Sequence, residues 1–120
     1  MLLFEEYILA SDDDLEIVSD IVVGFDDDKN FVVELIKTNY MVSHGGERRV
    51  RAVVDKEEAL LLADYLNVRL TALPKCFDQR FGEFSNILKP SYVDAQFKEI
   101  LEFILDCGVH YRLKGSLHLI

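Results

Sequence analysis

The spacing of apolar residues changes once along this 120-residue chain, near Asp55, and that change constrains the fold more than any other feature. Before Asp55 apolar and polar residues alternate, which is typical of half-buried β-strands. After Asp55 apolar residues recur every three or four positions, which is typical of helices that bury one face. The sequence therefore predicts a sheet in the first half, helices in the second, and an α+β fold.

The first half of the chain predicts an antiparallel meander. Residues 3–10 fit a strand, although their apolar positions also fit a short helix. The second strand has an apolar face formed by Leu15, Ile17, Ile21, Val23 and Phe25. In the third strand the apolar row moves from Leu35 to Ile36, which predicts a bulge or a bend at that point. A turn at residues 44–46 then leads into a fourth strand that ends at Val54.

The second half predicts two or three helices and a final strand. Asp55 with Glu58 three residues later predicts a capping box at the start of the first helix. The apolar stripe of that helix is Ala59, Leu62, Ala63 and Leu66, widened by Leu60, Leu61 and Tyr65. Pro74 suits the start of a second helix, which carries Phe77, Phe81 and Phe84 on one face.

A third helix is predicted between Pro90 and Gly108. Ser91 with Asp94 suits its start, and Gly108 suits its end. Its apolar stripe is Val93, Phe97, Ile100, Leu101 and Ile104. Alternation then returns at Val109, Tyr111 and Leu113, which predicts a short last strand.

Together these patterns predict a single α+β domain over residues 1–120. We expect an antiparallel β-meander of three to five strands, followed by two or three helices packed on one face, with a short C-terminal strand. A chain of 120 residues has the length of one domain, and half of its residues are hydrophobic. That apolar content is what a core needs to offset the conformational entropy lost on folding.

All of the net charge of −9 lies in the first thirty residues. Ten carboxylates accompany one cation there, Lys29, whereas the rest of the chain carries twelve acidic and twelve basic side chains. Because concentrated like charges repel unless a partner offsets them, this asymmetry predicts an acidic surface that binds a basic protein. The candidate contact residues are Glu5, Glu6, Asp12, Asp13, Asp14, Glu16, Asp20, Asp26, Asp27 and Asp28.

Charge and hydropathy also exclude several classes of partner. Nucleic-acid binding draws its affinity from cations that meet phosphates, so an acidic chain argues against it. No apolar run approaches the roughly 20 residues of a bilayer span, and Glu5 and Glu6 interrupt the apolar N-terminus too early for a signal peptide. We therefore expect a cytoplasmic protein without a membrane partner. Cys76 and Cys107 are expected to be buried free thiols.

The sequence contains no diagnostic catalytic or cofactor motif. It lacks a Walker loop, a Gly-x-Gly-x-x-Gly turn, paired cysteines at zinc spacing and a His-Glu-x-x-His helix, so no cofactor or metal site is predicted. The aspartate runs 12–14 and 26–28 do not match a calcium-binding EF-hand loop and fit turns at strand ends. Cys107, His110 and His118 offer a transition-metal alternative, against which surface positions for both histidines are the simpler interpretation.

These observations favour a non-enzymatic protein–protein interaction module of the inhibitor, immunity or adaptor type. The alternative is a small enzyme or ligand-binding domain that recognises an anionic metabolite through His44, Arg49 and Arg51. The two arginines could instead pair with an acidic residue of the neighbouring strand, such as Glu34. A third interpretation is self-association into a homo-oligomer, through an open sheet edge or through the apolar residues Leu117, Leu119 and Ile120.

Overall fold

The fold is a five-stranded antiparallel meander with helices packed on one of its faces. A computed structural model describes residues 2–10, 17–39, 46–82 and 90–115. The strands β1 to β5 lie in chain order within one sheet, and they are Leu3–Ala10, Ile17–Phe25, Phe31–Asn39, Glu47–Val54 and Arg112–Gly115. The helices α1 to α3 are Lys56–Leu66, Leu73–Phe81 and Pro90–Asp106, and a 3-10 turn, Leu70–Ala72, precedes α2. The predicted α+β meander, with its helices and its short last strand, is confirmed.

One face of the sheet forms the main hydrophobic core with the helices. Alternate residues of the strands point toward the helices, as the spacing predicted. Those from the three central strands include Ile21, Val23, Phe25, Phe31, Val33, Leu35, Val50, Ala52 and Val54. Phe31 and Phe77 of α2 are in direct contact, with ring centroids 5.0 Å apart. The predicted stripe of α3 is buried in the same core. The change of period near Asp55 therefore marks the boundary between the sheet and the helices that cover it.

The opposite face of the sheet carries a second, small apolar cluster formed by Leu2, Val32 and Val53. Leu2 reaches this face by crossing over Gly24 of β2. A Cβ atom at Gly24 would lie 2.6 Å from the Cβ of Leu2 and 2.9 Å from the carbonyl oxygen of Leu3. The glycine therefore makes room for the start of the chain to lie on β2.

The strand irregularities lie in β1, not in β3. Pairing of β3 with both neighbours keeps an uninterrupted register through Leu35 and Ile36, so the bulge predicted there is wrong. Ile36 simply points to the face away from the helices, where it lines a groove. The register instead shifts twice along β1, between Leu3 and Glu6 and between Tyr7 and Leu9. Within the first shift Phe4 adopts a φ of 54°, in the left-handed region.

Helix α1 begins where the sequence predicted, but without the predicted capping box. The side chain of Asp55 makes no capping hydrogen bond to the first turn. The Asp55 carboxylate instead accepts a hydrogen bond of 2.7 Å from Arg112, and Glu58 accepts one from the backbone N–H of His110. Both carboxylates therefore bind the segment that leads into and forms β5.

The apolar stripe of α1 is narrower than predicted. Ala59, Leu62 and Ala63 are buried, whereas Leu60, Leu61 and Tyr65 are exposed and do not widen the stripe. At the C-terminus of α3, Gly108 has a φ of 80° and its N–H donates to the carbonyl of Leu105, which confirms the predicted stop. Phe84, the turn at 44–45 and the apolar residues 117–120 lie outside the described residues.

An ion pair between Lys37 and Asp94 ties α3 to the end of β3. Both side chains are largely buried, and Asp94 therefore contacts the sheet rather than only starting its helix. Among the residues that the structure describes, no helix combines the length and the apolar character needed to cross a bilayer.

Candidate functional site

The described acidic residues of the first thirty do not form one continuous surface. Asp20 lies in β2 opposite Ile36, six residues before Asp26, a separation of about 20 Å along an extended strand. The start of β1 lies beside the end of β2, because Leu3 pairs with Phe25. The backbone of Glu5 and Glu6 therefore lies near the same end of the sheet as Asp26. Asp12, Asp13, Asp14 and Glu16 lie outside the described residues.

The turn between β2 and β3 is held by Asp26. Its carboxylate accepts hydrogen bonds from the backbone N–H groups of Asp28 and Asn30, at 3.0 and 2.9 Å, and from the side-chain amide of Asn30. The Asn30 side chain in turn accepts the N–H of Lys56 at the start of α1. Asp26 therefore has the turn role expected of aspartate at a strand end.

Asp27 and Asp28 lie at the tip of this turn and are exposed. Neither forms an ion pair with any of the residues described. Their charges are therefore available to a partner. We call residues 3–6 of β1, together with residues 26–29 of the turn, the acidic edge.

An apolar pocket of about 280 Å³ opens at the acidic edge, and we call it the edge pocket. Its lining is almost wholly apolar and is contributed by Leu3, Phe4, Phe25, Lys29, Leu70 and Thr71. Phe4 is 62% exposed and Leu3 is 53% exposed, although Phe4 contacts Phe25 edge-on at 6.3 Å between ring centroids. Exposed apolar side chains that surround a pocket are a usual mark of a binding surface.

Sequence reasoning missed the edge pocket. An alternating strand sends neighbouring side chains to opposite faces, so Leu3 and Phe4 were not both expected at the surface. The signal that could have found the pocket is the uninterrupted apolar run of Leu2, Leu3 and Phe4 before Glu5. Three adjacent apolar residues cannot all point to one face of a regular strand, and the register shift in β1 is how the chain accommodates them.

Arg49 and Arg51 lie on the sheet face away from the helices, in a groove of about 260 Å³. Both pair with Glu34, whose two carboxylate oxygens accept from Arg49 Nη1 and Arg51 Nε at 3.0 Å each. Arg49 Nε also donates to Glu47 at 2.9 Å. The hydrogen bond from Arg49 to Glu47, together with the Glu34 charge, raises the pKa of the guanidinium. The pairing with Glu34 that the sequence offered as an alternative is thus present.

The groove is electrically balanced. Glu34 is only 4% exposed at its side chain and holds both guanidinium groups, and Glu5 adds a second carboxylate to the lining. Strand β5 places a further cation beside Arg51, because Lys114 lies opposite it. The third residue of the predicted anion site, His44, lies outside the described residues.

The described residues offer little for metal or nucleophilic chemistry. Across 2–10, 17–39, 46–82 and 90–115, no three His, Cys, Asp or Glu side chains are grouped to hold a metal ion. His110 contacts Glu58 at 3.0 Å, and these bonds from His110 lower the pKa of Glu58. Burial raises the pKa of the Cys107 thiol, which disfavours the thiolate form that reacts and binds metals. His118 lies outside the described residues.

Comparisons with known proteins found no matching family model, no matching curated protein and no matching solved structure. Two surfaces stand out: the acidic edge with its apolar pocket, and the balanced groove around Glu34.

We predict that Glu34→Gln lowers the free energy of unfolding by about 1–3 kcal/mol, because hydrogen bonds to a charged group are lost at a buried position. The loss stays below that of a fully buried ion pair, since Arg49 remains half exposed. Glu47→Gln is the matched control, because it removes an exposed partner of the same arginine and should cost about 0–1 kcal/mol. Urea denaturation of both variants checks this. Equal losses in the two variants would show that Glu34 has no special structural role.

The half-buried Asp20 predicts a pH dependence of stability. Burial raises its pKa above the ordinary value of 3.8, so the folded state binds its proton more tightly than the unfolded chain does. The contribution of Asp20 to the free energy of unfolding is therefore lost as the pH rises from about 3.8 through the raised pKa. Asp20→Asn should stabilise the chain relative to the wild type at pH 7, and the difference should shrink at pH 3.

Thermal melts at the two pH values test the Asp20 prediction, with the exposed Asp27→Asn as the matched control. A stabilisation of Asp20→Asn that is the same at both pH values would contradict it. Such a result would mean that the carboxylate is as well solvated in the folded chain as in the unfolded one.

Proposed function

We propose that this chain is a non-enzymatic binding module that uses its acidic N-terminal surface to bind a basic protein. Inhibitors, immunity proteins and adaptors are the functional types that act in this way. One observation carries the proposal: the whole net charge of −9 lies in the first thirty residues, and Asp27 and Asp28 are exposed there without an ion pair to any described residue.

The mechanism is electrostatic attraction followed by close contact. A concentrated charge of one sign raises the rate at which an oppositely charged protein arrives, and it orients that protein before contact. The acidic edge suits this role, because Asp26 holds the turn while Asp27 and Asp28 face solvent. Binding by an acidic surface neutralises the basic surface of the partner, which is how an inhibitor of a basic protein would act.

The alternative function is recognition of an anionic metabolite through His44, Arg49 and Arg51. It is the weaker proposal, because Glu34 holds both guanidinium groups and an anion would meet only their remaining N–H groups. A ligand that binds only the folded state raises the melting temperature. The alternative therefore predicts stabilisation by small phosphates or carboxylates, and that this stabilisation disappears in Arg51→Ala. If no small phosphate or carboxylate raises the melting temperature, the metabolite-binding alternative is wrong.

The interaction proposal predicts salt-sensitive capture of a basic protein by the immobilised full chain. Capture at low salt, elution along a salt gradient and mass spectrometry should identify a basic protein that leaves the column as salt rises. Two bait variants localise the contact. Asp27→Lys with Asp28→Lys should lose the partner, and Asp26 is left intact because it holds the turn.

The matched control bait is Glu99→Lys with Glu102→Lys, which makes the same change in net charge at exposed positions of α3. It should retain most of the captured partner. If both baits lose the partner equally, overall charge is responsible rather than the acidic edge. If neither loses it, or if elution does not depend on salt, the electrostatic mechanism is wrong.

A further inference from the structure

The edge pocket is an apolar centre that opens at the acidic edge. Leu3 and Phe4 form one wall, and Glu6 follows two residues after Phe4 in the chain. On the other side, Lys29 lines the pocket and follows directly after Asp27 and Asp28. An apolar centre with a charged rim is the usual anatomy of a protein–protein contact.

The dimensions of the edge pocket fit one side chain. Its volume of about 280 Å³ lies at or below the lower end of the range for small-molecule sites, roughly 300–1,000 Å³. Its lining offers almost no polar surface, so it lacks the hydrogen-bonding groups that fix a metabolite. Lys29 therefore contributes its aliphatic stem to the wall. A single aromatic or aliphatic side chain matches both the size and the chemistry.

The charge around the pocket selects what flanks that side chain. Three carboxylates of the acidic edge, those of Glu6, Asp27 and Asp28, lie near the lining residues in the chain. The cations there are Lys29, which lines the pocket, and Arg69, which precedes Leu70. Lysine or arginine residues next to the inserted side chain would offset this charge. An acidic or uncharged segment would leave it unbalanced.

A second copy of this chain is a poor occupant for the same reason. Two copies would each bring a net charge of −9, concentrated beside the surfaces that would meet. Like charges brought together across an interface oppose association. The charge therefore favours a basic partner over self-association at this edge.

We infer that the edge pocket receives one apolar anchor side chain, aromatic or aliphatic, from a basic segment of the partner protein. This inference rests on the proposed function and specifies its contact: the carboxylates attract and orient the segment, and the pocket around Phe4 supplies the short-range affinity. Burial of one large apolar side chain is enough to change an affinity at least tenfold.

Two synthetic peptides test the anchor directly. The probe is acetyl-Lys-Lys-Phe-Lys-Lys-amide, and the control is the same peptide with serine in place of phenylalanine, so that the charge is unchanged. Titration of the full, ¹⁵N-labelled chain at low salt should show that the phenylalanine peptide binds at least about tenfold more tightly. The amide signals that move should include those of Leu3, Phe4 and Lys29.

Variants of the chain complete the test. Phe4→Asn removes the pocket wall, and asparagine tolerates the left-handed backbone at this position. It should abolish the preference for the phenylalanine peptide while leaving the weak binding of the serine peptide. Tyr65→Asn, at an equally exposed aromatic residue of α1, should keep the preference. Thermal melts show that both variants are folded.

The outcomes separate this inference from the proposed function. If both peptides bind equally, in a salt-dependent way and at Asp27 and Asp28, the anchor is wrong while the electrostatic function stands. Absence of peptide binding also overturns the anchor, and the function is then decided by the capture experiment. A dimer of the free chain that Phe4→Asn dissociates would assign the pocket to a second copy and would contradict the inference.

Discussion

The contact between Phe31 of the central strand and Phe77 of α2, with ring centroids 5.0 Å apart, joins the two halves of this molecule. Around it, aliphatic and aromatic side chains from one face of the sheet meet all three helices in a single core. Burial of this apolar area is the dominant favourable term in folding, and it fixes which face each strand turns inward. Because the helices take one face, polar and charged residues are left to the other face, the turns and the edges of the sheet.

On these remaining surfaces, some charges are paired within the protein and others are not. On the open face, Glu34 is buried and binds two arginines, so the charges there neutralise each other within the protein. At the acidic edge, Asp26 uses its carboxylate to hold the turn, and Asp27 and Asp28 are left at the surface. The first arrangement stabilises the sheet. The second leaves charge that only a molecule outside the chain can offset, beside a pocket that can accept an apolar side chain.

Much of the fold could be predicted from the sequence, because alternation and helical spacing report directly which face of an element is buried. The start of α1, the stripe of α3 and the stop at Gly108 are such cases. The capping box failed because Asp55 and Glu58 bind Arg112 and His110, which are 57 and 52 residues away in the chain. The edge pocket was missed because the register shift around Phe4 depends on how β1 meets β2, and local spacing does not report that pairing.

The most direct test of the central claim is the footprint of the captured partner, measured by amide hydrogen exchange of the full chain with and without it. We expect slower exchange at the start of β1 and in the turn that follows β2, where the acidic edge and its pocket lie. Protection confined to β4 and β5, around the Glu34 groove, with no change at the acidic edge, would show that the acidic edge is not the contact and would place the functional surface on the open face of the sheet.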